Sequence, residues 1–213
     1  MRPHPSPRHA LIAVLAAAVL ATGATAAVAA PAAPAAPAGP AGPAGPAHAR
    51  HGTLRPLVDL AAQRVLVADE VAAAKWGTDS PIDDPARERE VLEAVARQAE
   101  ELGADPVATS RIFRDQIEAS KVVQRGLYSR WDADPSQAPT ERPDLGRVRL
   151  EINRINGELV GAIADSAAVR ESPSCVGHLT AGAAAVVHGR RLDPLHTVAL
   201  GRSLPSVCER GAP

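Results

Sequence analysis

Two cations and a row of neutral polar side chains stand where a helical chain ordinarily keeps hydrocarbon. Arg64 and Lys75 lie eleven positions apart in the stretch Leu54–Trp76. At 100° per residue this is three turns, so they project within about 20° of one another. They fall in the middle of the apolar face formed by Leu57, Leu60, Ala61, Ala68, Val71 and Ala72, and the alanines leave space beside them. A cation among apolar groups must be paired, bind something anionic, or extend its head to water. The stretch Ala108–Trp131 repeats the anomaly. Ile112, Phe113, Ile117, Val123, Leu127, Tyr128 and Trp131 form an apolar stripe, while Arg111, Arg114, Glu118, Lys121, Arg125 and Ser129 cover the far side. Inside the stripe Gln116, Ser120 and Gln124 follow each other at spacings of four. A buried amide or hydroxyl left unpaired costs roughly 1–3 kcal/mol. The row therefore calls for a polar network within the protein or a polar ligand, and the cations favour the ligand.

Two further arginines point the same way. Arg87 sits at the margin of a stripe made by Val91, Val95 and Leu102, and Arg149 at the margin of one made by Leu145, Ile152, Leu159, Val160 and Ile163. Singly, marginal arginines belong to the surface. Together with Arg64 and Lys75 they direct four cations toward one interior without an equal set of inward carboxylates, which suits a small dianion. The chain has no Gly-rich phosphate loop, no HExxH and no GxSxG elbow. Four of its seven histidines precede residue 52, and His178, His188 and His196 read as surface or helix-end residues, so no metal constellation is expected. Asp83 and Asp84 look like a carboxylate pair, but an N-cap accounts for Asp84. Cations and neutral donors without a nucleophile or general base fit a reaction driven by electrostatic positioning.

The elements that carry these residues all read as helices. Asp-Pro or Pro-Asp marks most starts, an N-cap with proline at or beside the first turn. Asp84-Pro85 opens a helix that Gly103 stops, and Asp105-Pro106 opens the long one through Trp131. Pro143-Asp144 opens another through about Val169, followed by Ser174–Arg190 and by Asp193-Pro194 to about Ser203. With Leu54–Trp76, this predicts an all-α bundle of about six helices. Cys175 and Cys208 are the only cysteines. In an exported protein such a pair reads as a disulfide, which would tie the last two helices together, with free thiols as the alternative. The chain-entropy model assigns about 3.5–4 kcal/mol to closing a loop of that length.

Export is expected from the first residues. Arg2 and Arg8 precede the uncharged apolar run Ala10–Ala21, and Ala27-Val28-Ala29 offers a small-residue cleavage site. Residues 1–29 thus read as a secretory signal peptide, the run being short and alanine-rich for a membrane anchor. Residues 30–52, rich in Pro, Ala and Gly, read as a semi-rigid linker, and 53–213 as the folded domain. A net charge of −1 over 213 residues gives no electrostatic case for nucleic acid or an anionic membrane. With aromatics at 2%, a base-stacking platform is not expected either.

The segments AAQR (61–64), VAAAKW (71–76), PIDDPAR (81–87), DQIEASKVVQ (115–124) and PDLGRVR (143–149), with the late cysteine pair, resemble in order and spacing the secreted, all-helical (gamma-class) chorismate mutases. The resemblance covers Leu54 to about Cys208. It implies isomerisation of chorismate to prephenate by an intramolecular Claisen rearrangement, without a cofactor. It further implies that Arg64 and Arg149 grip substrate carboxylates and that Arg87 lines the same pocket. Lys75 would address the ether oxygen and a neighbouring carboxylate, and Ser120 and Gln124 would complete the polar wall. Asp84 would help bind the hydroxyl end of the substrate. The chain departs from some relatives at Val91, where they carry Gln. The resemblance also implies a homodimer in which one chain encloses each site. The competing expectation from another class is a secreted helical protein that binds a small dicarboxylate without turning it over.

Overall fold

The computed structural model describes residues 53–208. The expected signal peptide and linker lie outside the described residues. Among those described, every regular element is helical: α1 Arg55–Leu66, α2 Ala68–Lys75, α3 Pro85–Glu101, α4 Pro106–Ala133, α5 Leu145–Asp165, the single turn α6 Ala167–Arg170, α7 Cys175–Arg190 and α8 Pro194–Arg202. Short 3₁₀ turns follow α4 (Pro135–Gln137) and α8 (Pro205–Cys208). None of these helices is long and apolar enough to cross a membrane.

The aspartates set the starts. Asp84, Asp105, Asp144 and Asp193 each accept backbone N–H bonds in the first turn of α3, α4, α5 and α8, at 2.7–3.1 Å. These bonds occupy donors that a helix cannot satisfy from within. Gly103, at φ +69°, ends the turn after α3 in a conformation that costs other residues energy.

Two expected helices are each divided. The stretch Leu54–Trp76 breaks at Val67, which separates α1 from α2. Packing explains the break. Val65 and Ala68 pack with Ala119, Val123 and Leu127 of α4, whereas Val67 and Val71 pack with Val148 and Ile155 of α5. The strand of chain must bend to serve two neighbours at once. The helix expected through Val169 ends at Asp165, because the Ser166 hydroxyl turns back to the Ala162 carbonyl at 2.6 Å and competes with continuation.

The 28-residue α4, about 42 Å long at 1.5 Å per residue, is the spine. Helices α1, α2, α3 and α8 all pack against it. The main core joins Leu57, Val58 and Ala61 of α1 to Ile112 and Phe113 of α4, Leu159 and Ile163 of α5, and Leu200 of α8. At the far end Trp76, Tyr128 and Trp131 form an edge-to-face cluster with centroids 4.8 and 5.2 Å from Trp76, which fixes the end of α2 against α4. The cysteines are bonded, Cys175 to Cys208. The bridge runs from the start of α7 to the 3₁₀ turn beyond α8, not into α8 itself.

His196 departs from expectation. It does lie in the first turn of α8, but it is buried. Nε2 lies 2.9 Å from Asp69 of α2 and Nδ1 lies 2.9 Å from Asp193. The bond to Asp69 raises its pKa, burial opposes that, and Asp193 adds to the rise. A raised folded-state pKa gives stability that is complete below the unfolded value of about 6.5 and is lost as pH rises through the folded one. Urea midpoints of the protein should therefore fall between pH 6 and pH 9, and fall less in His196→Gln.

Candidate functional site

Each expected cation arrives at the site on a different helix, and for a local reason. Arg64 occupies the last turn of α1. Lys75 is the last residue of α2, where the helix ends because Trp76 turns extended and Gly77 adopts φ +66°. A cation at a helix C-terminus also meets the negative end of the helix dipole. Arg87 lies in the first turn of α3, just inside the Asp84 cap, and Arg149 in the first turns of α5. Ser120 and Gln124 face them from α4, one turn apart.

These residues line one cavity of about 110 Å³: Arg64, Lys75, Asp84, Arg87, Ser120, Gln124 and Arg149, all seven of those expected. A water needs roughly 10–15 Å³ by this measure, so the space suits a small organic molecule. Val67, Val71, Val91, Ile117, Leu145 and Ile152 supply apolar wall. Val91 thus contributes hydrocarbon.

Arg64 is the deepest charge, 6% exposed. Its Nε donates to Asn156 Oδ1 at 2.8 Å and its Nη1 to the Gln116 carbonyl at 3.1 Å. Its guanidinium also lies 5.9 Å from the centre of the Phe113 ring, within cation–π range. Burial lowers its pKa to about 10, so it stays cationic at neutral pH. Lys75 is half-buried and donates to the Pro81 carbonyl at 2.7 Å. Desolvation lowers its pKa, Asp84 opposes that, and Arg149 adds to the lowering. Arg87 pairs with Glu90 at 2.9 Å and reaches Asn153 at 3.5 Å. Arg149, as its marginal wheel position implied, stands at the exposed rim. Gln124 is buried, and its Nε2 donates to the Ser120 hydroxyl at 3.1 Å and carbonyl at 3.3 Å. Its Oε1 is buried with no protein donor.

The polar row on α4 divides. Gln116 is not at the cavity. It is 1% exposed, and its Nε2 donates to the Ser203 carbonyl at 3.0 Å, fastening α4 to the end of α8. For Gln116 the internal-network alternative holds. For Ser120 and Gln124, the cavity accounts for the polarity.

Two lining residues escaped the sequence reading. Lys121, expected on the solvent side of α4, is buried and lines the cavity, as does Glu88. Its ammonium meets Glu118 at 2.8 Å, Glu88 at 2.9 Å and Asp83 at 3.3 Å. Burial disfavours its charge, but hydrogen bonds to Glu118, Glu88 and Asp83 outweigh that and hold its pKa above the usual lysine value. A signal was present, since Lys121 follows Ile117 by one turn and lies only about 40° around the helix from it. Counting Lys121 and Glu88, five cations and two carboxylates line the cavity, and the excess of positive charge remains.

The family model for chorismate mutase type II matches residues 55–125. The chain is 39% identical over 155 residues to a secreted chorismate mutase of Mycolicibacterium smegmatis, covering 73% of this chain and 86% of that one. The chain belongs to the chorismate mutase family. A secreted chorismate mutase of Mycobacterium tuberculosis is 36% identical over 156 residues, covering 73% of this chain and 78% of that one. The crystal structure of chorismate mutase from Burkholderia thailandensis superposes with a TM-score of 0.69 at 37% identity, over 73% of this chain and 98% of that one.

Because Asn156 is the side-chain acceptor that holds Arg64, Asn156→Ala should leave a buried charged donor short of a partner. A loss of about 1.5–3 kcal/mol is expected, measured as a shift in the urea unfolding curve.

Proposed function

We propose that this chain is an isomerase that converts chorismate to prephenate by intramolecular Claisen rearrangement. The observation that carries the reading is the convergence of Arg64, Lys75, Arg87 and Arg149, from four helices, on one small cavity walled on its fifth side by Ser120 and Gln124. The reaction is unimolecular and pericyclic, so it calls for no covalent intermediate and no cofactor. Its barrier falls when the substrate is folded with its reacting carbons in contact, a positioning task.

Arg64 and Arg149 grip the two substrate carboxylates, and Arg87 exchanges its bond with Glu90 for the same guest. Asp84 accepts from the hydroxyl end with the carboxyl that also caps α3. As the C–O bond breaks, negative charge gathers on the ether oxygen. Lys75 turns one of its three N–H donors there, and the Gln124 amide supplies another by giving up its longer bond, to the Ser120 carbonyl. Both side chains are held at the cavity by the protein, which limits reorganisation at the transition state. The carboxylate clamps act on ground and transition states more evenly.

The chain works outside the cytoplasm, as the secreted relatives do. A homodimer is part of the reading and rests on the family resemblance.

Incubation of the protein with chorismate, followed by detection of prephenate, tests the function directly. A ligand-induced rise in melting temperature without turnover would instead make it a binding protein. Lys75→Ala should lower kcat by about 10²–10³ with the melting temperature retained, whereas Arg149→Ala should act mainly on KM. An unchanged kcat in Lys75→Ala would remove Lys75 from the chemistry.

A further inference from the structure

Glu88 is out of place in a cavity that takes a dianion. It lies one residue beyond Arg87 on α3, its side chain is 27% exposed, and it lines the cavity. A carboxylate on that wall repels a doubly negative guest. Lys121 of α4 meets it at 2.9 Å, with only 10% of its side chain exposed. The other two carboxylates on Lys121 differ. Asp83 is 58% exposed and is also held by Arg125 at 2.7 Å. Glu118 is 41% exposed, on the same helix as Lys121, and does not line the cavity. Water and Arg125 can therefore screen those two, whereas Glu88 depends on its neighbour.

We infer that Lys121 is a positioning residue of the site, whose ammonium masks the Glu88 carboxylate and so keeps the cavity hospitable to the substrate dianion. The three N–H donors of Lys121 face three carboxylates, so it acts on the substrate through Glu88 and not by gripping it. The inference rests on the mutase reading above and adds to it a determinant of affinity. It also explains why a lysine is kept within a helical face beside Ile117. Removing it would leave the wall charge in place and subtract the charge that cancels it.

Steady-state kinetics on the full chain separate this from a structural role. Lys121→Met should raise KM for chorismate about tenfold, with kcat altered less than about threefold, after allowance for solvent screening. Lys121→Met combined with Glu88→Gln should return KM to within about threefold of wild type, and Lys121→Arg should resemble wild type. Lys121→Met combined with Glu118→Gln is the control, because it relieves the same crowd of carboxylates without changing the cavity wall, and its KM should stay high. Equal recovery in both double variants, recovery in neither, or an unchanged KM in Lys121→Met would each overturn the inference. If Lys121→Met alone does not fold, the two double variants are compared with each other. A wild-type chain that produces no prephenate would sink the functional reading instead, before any variant is measured.

Discussion

The rest of the structure depends on how one buried guanidinium is satisfied. Arg64 is withdrawn from water yet answered by neutral acceptors, the Asn156 amide and the Gln116 carbonyl, and by the face of Phe113. A buried ion met by a carboxylate would be electrically finished. Met by dipoles alone, it keeps its charge available to whatever enters the adjacent cavity, at the cost of desolvation that the surrounding packing must offset. Asn156 belongs to α5 and Gln116 to α4, so holding Arg64 also fixes α1 between the two helices that complete the site.

The cations around the cavity differ in the partners that hold them. Arg64, the most buried cation, has dipolar partners. Lys75 and Arg87, nearer the mouth, hold bonds that a guest can replace, one to a backbone carbonyl and one to the exposed Glu90. Lys121 is surrounded by acids. The site thus contains cations in two electrical states, some open to an anion and one committed to its neighbours. The lining carries more cations than carboxylates and so favours negative charge.

Much of this was legible in the residues, and the exceptions share a cause. Aspartates before helix starts announce themselves because capping is a local event, settled within one turn. Arg64, Lys75, Ser120 and Gln124 stood out because each violates the apolar pattern of its own helix. What could not be read was decided by other segments. Lys121 looks like a surface lysine until Asp83 and Glu88, more than thirty positions away, are brought beside it. His196 looks like a helix-end residue until Asp69 arrives from α2. Gln116 resembled Ser120 and Gln124 in spacing and differs only in facing the end of α8. The bend at Val67 carries no proline or glycine, since it arises from the competing claims of α4 and α5 on successive valines and alanines.

That bend gives the first two helices the action of a calliper. Arg64 stands on one jaw and Lys75 on the other, with Val67 at the pivot. Val67 and Val71 seat that bend against α5 and also form part of the apolar wall between the two charges. Side-chain volume at that seat could therefore adjust which length of anion is accommodated, while the chemistry at both tips stays the same.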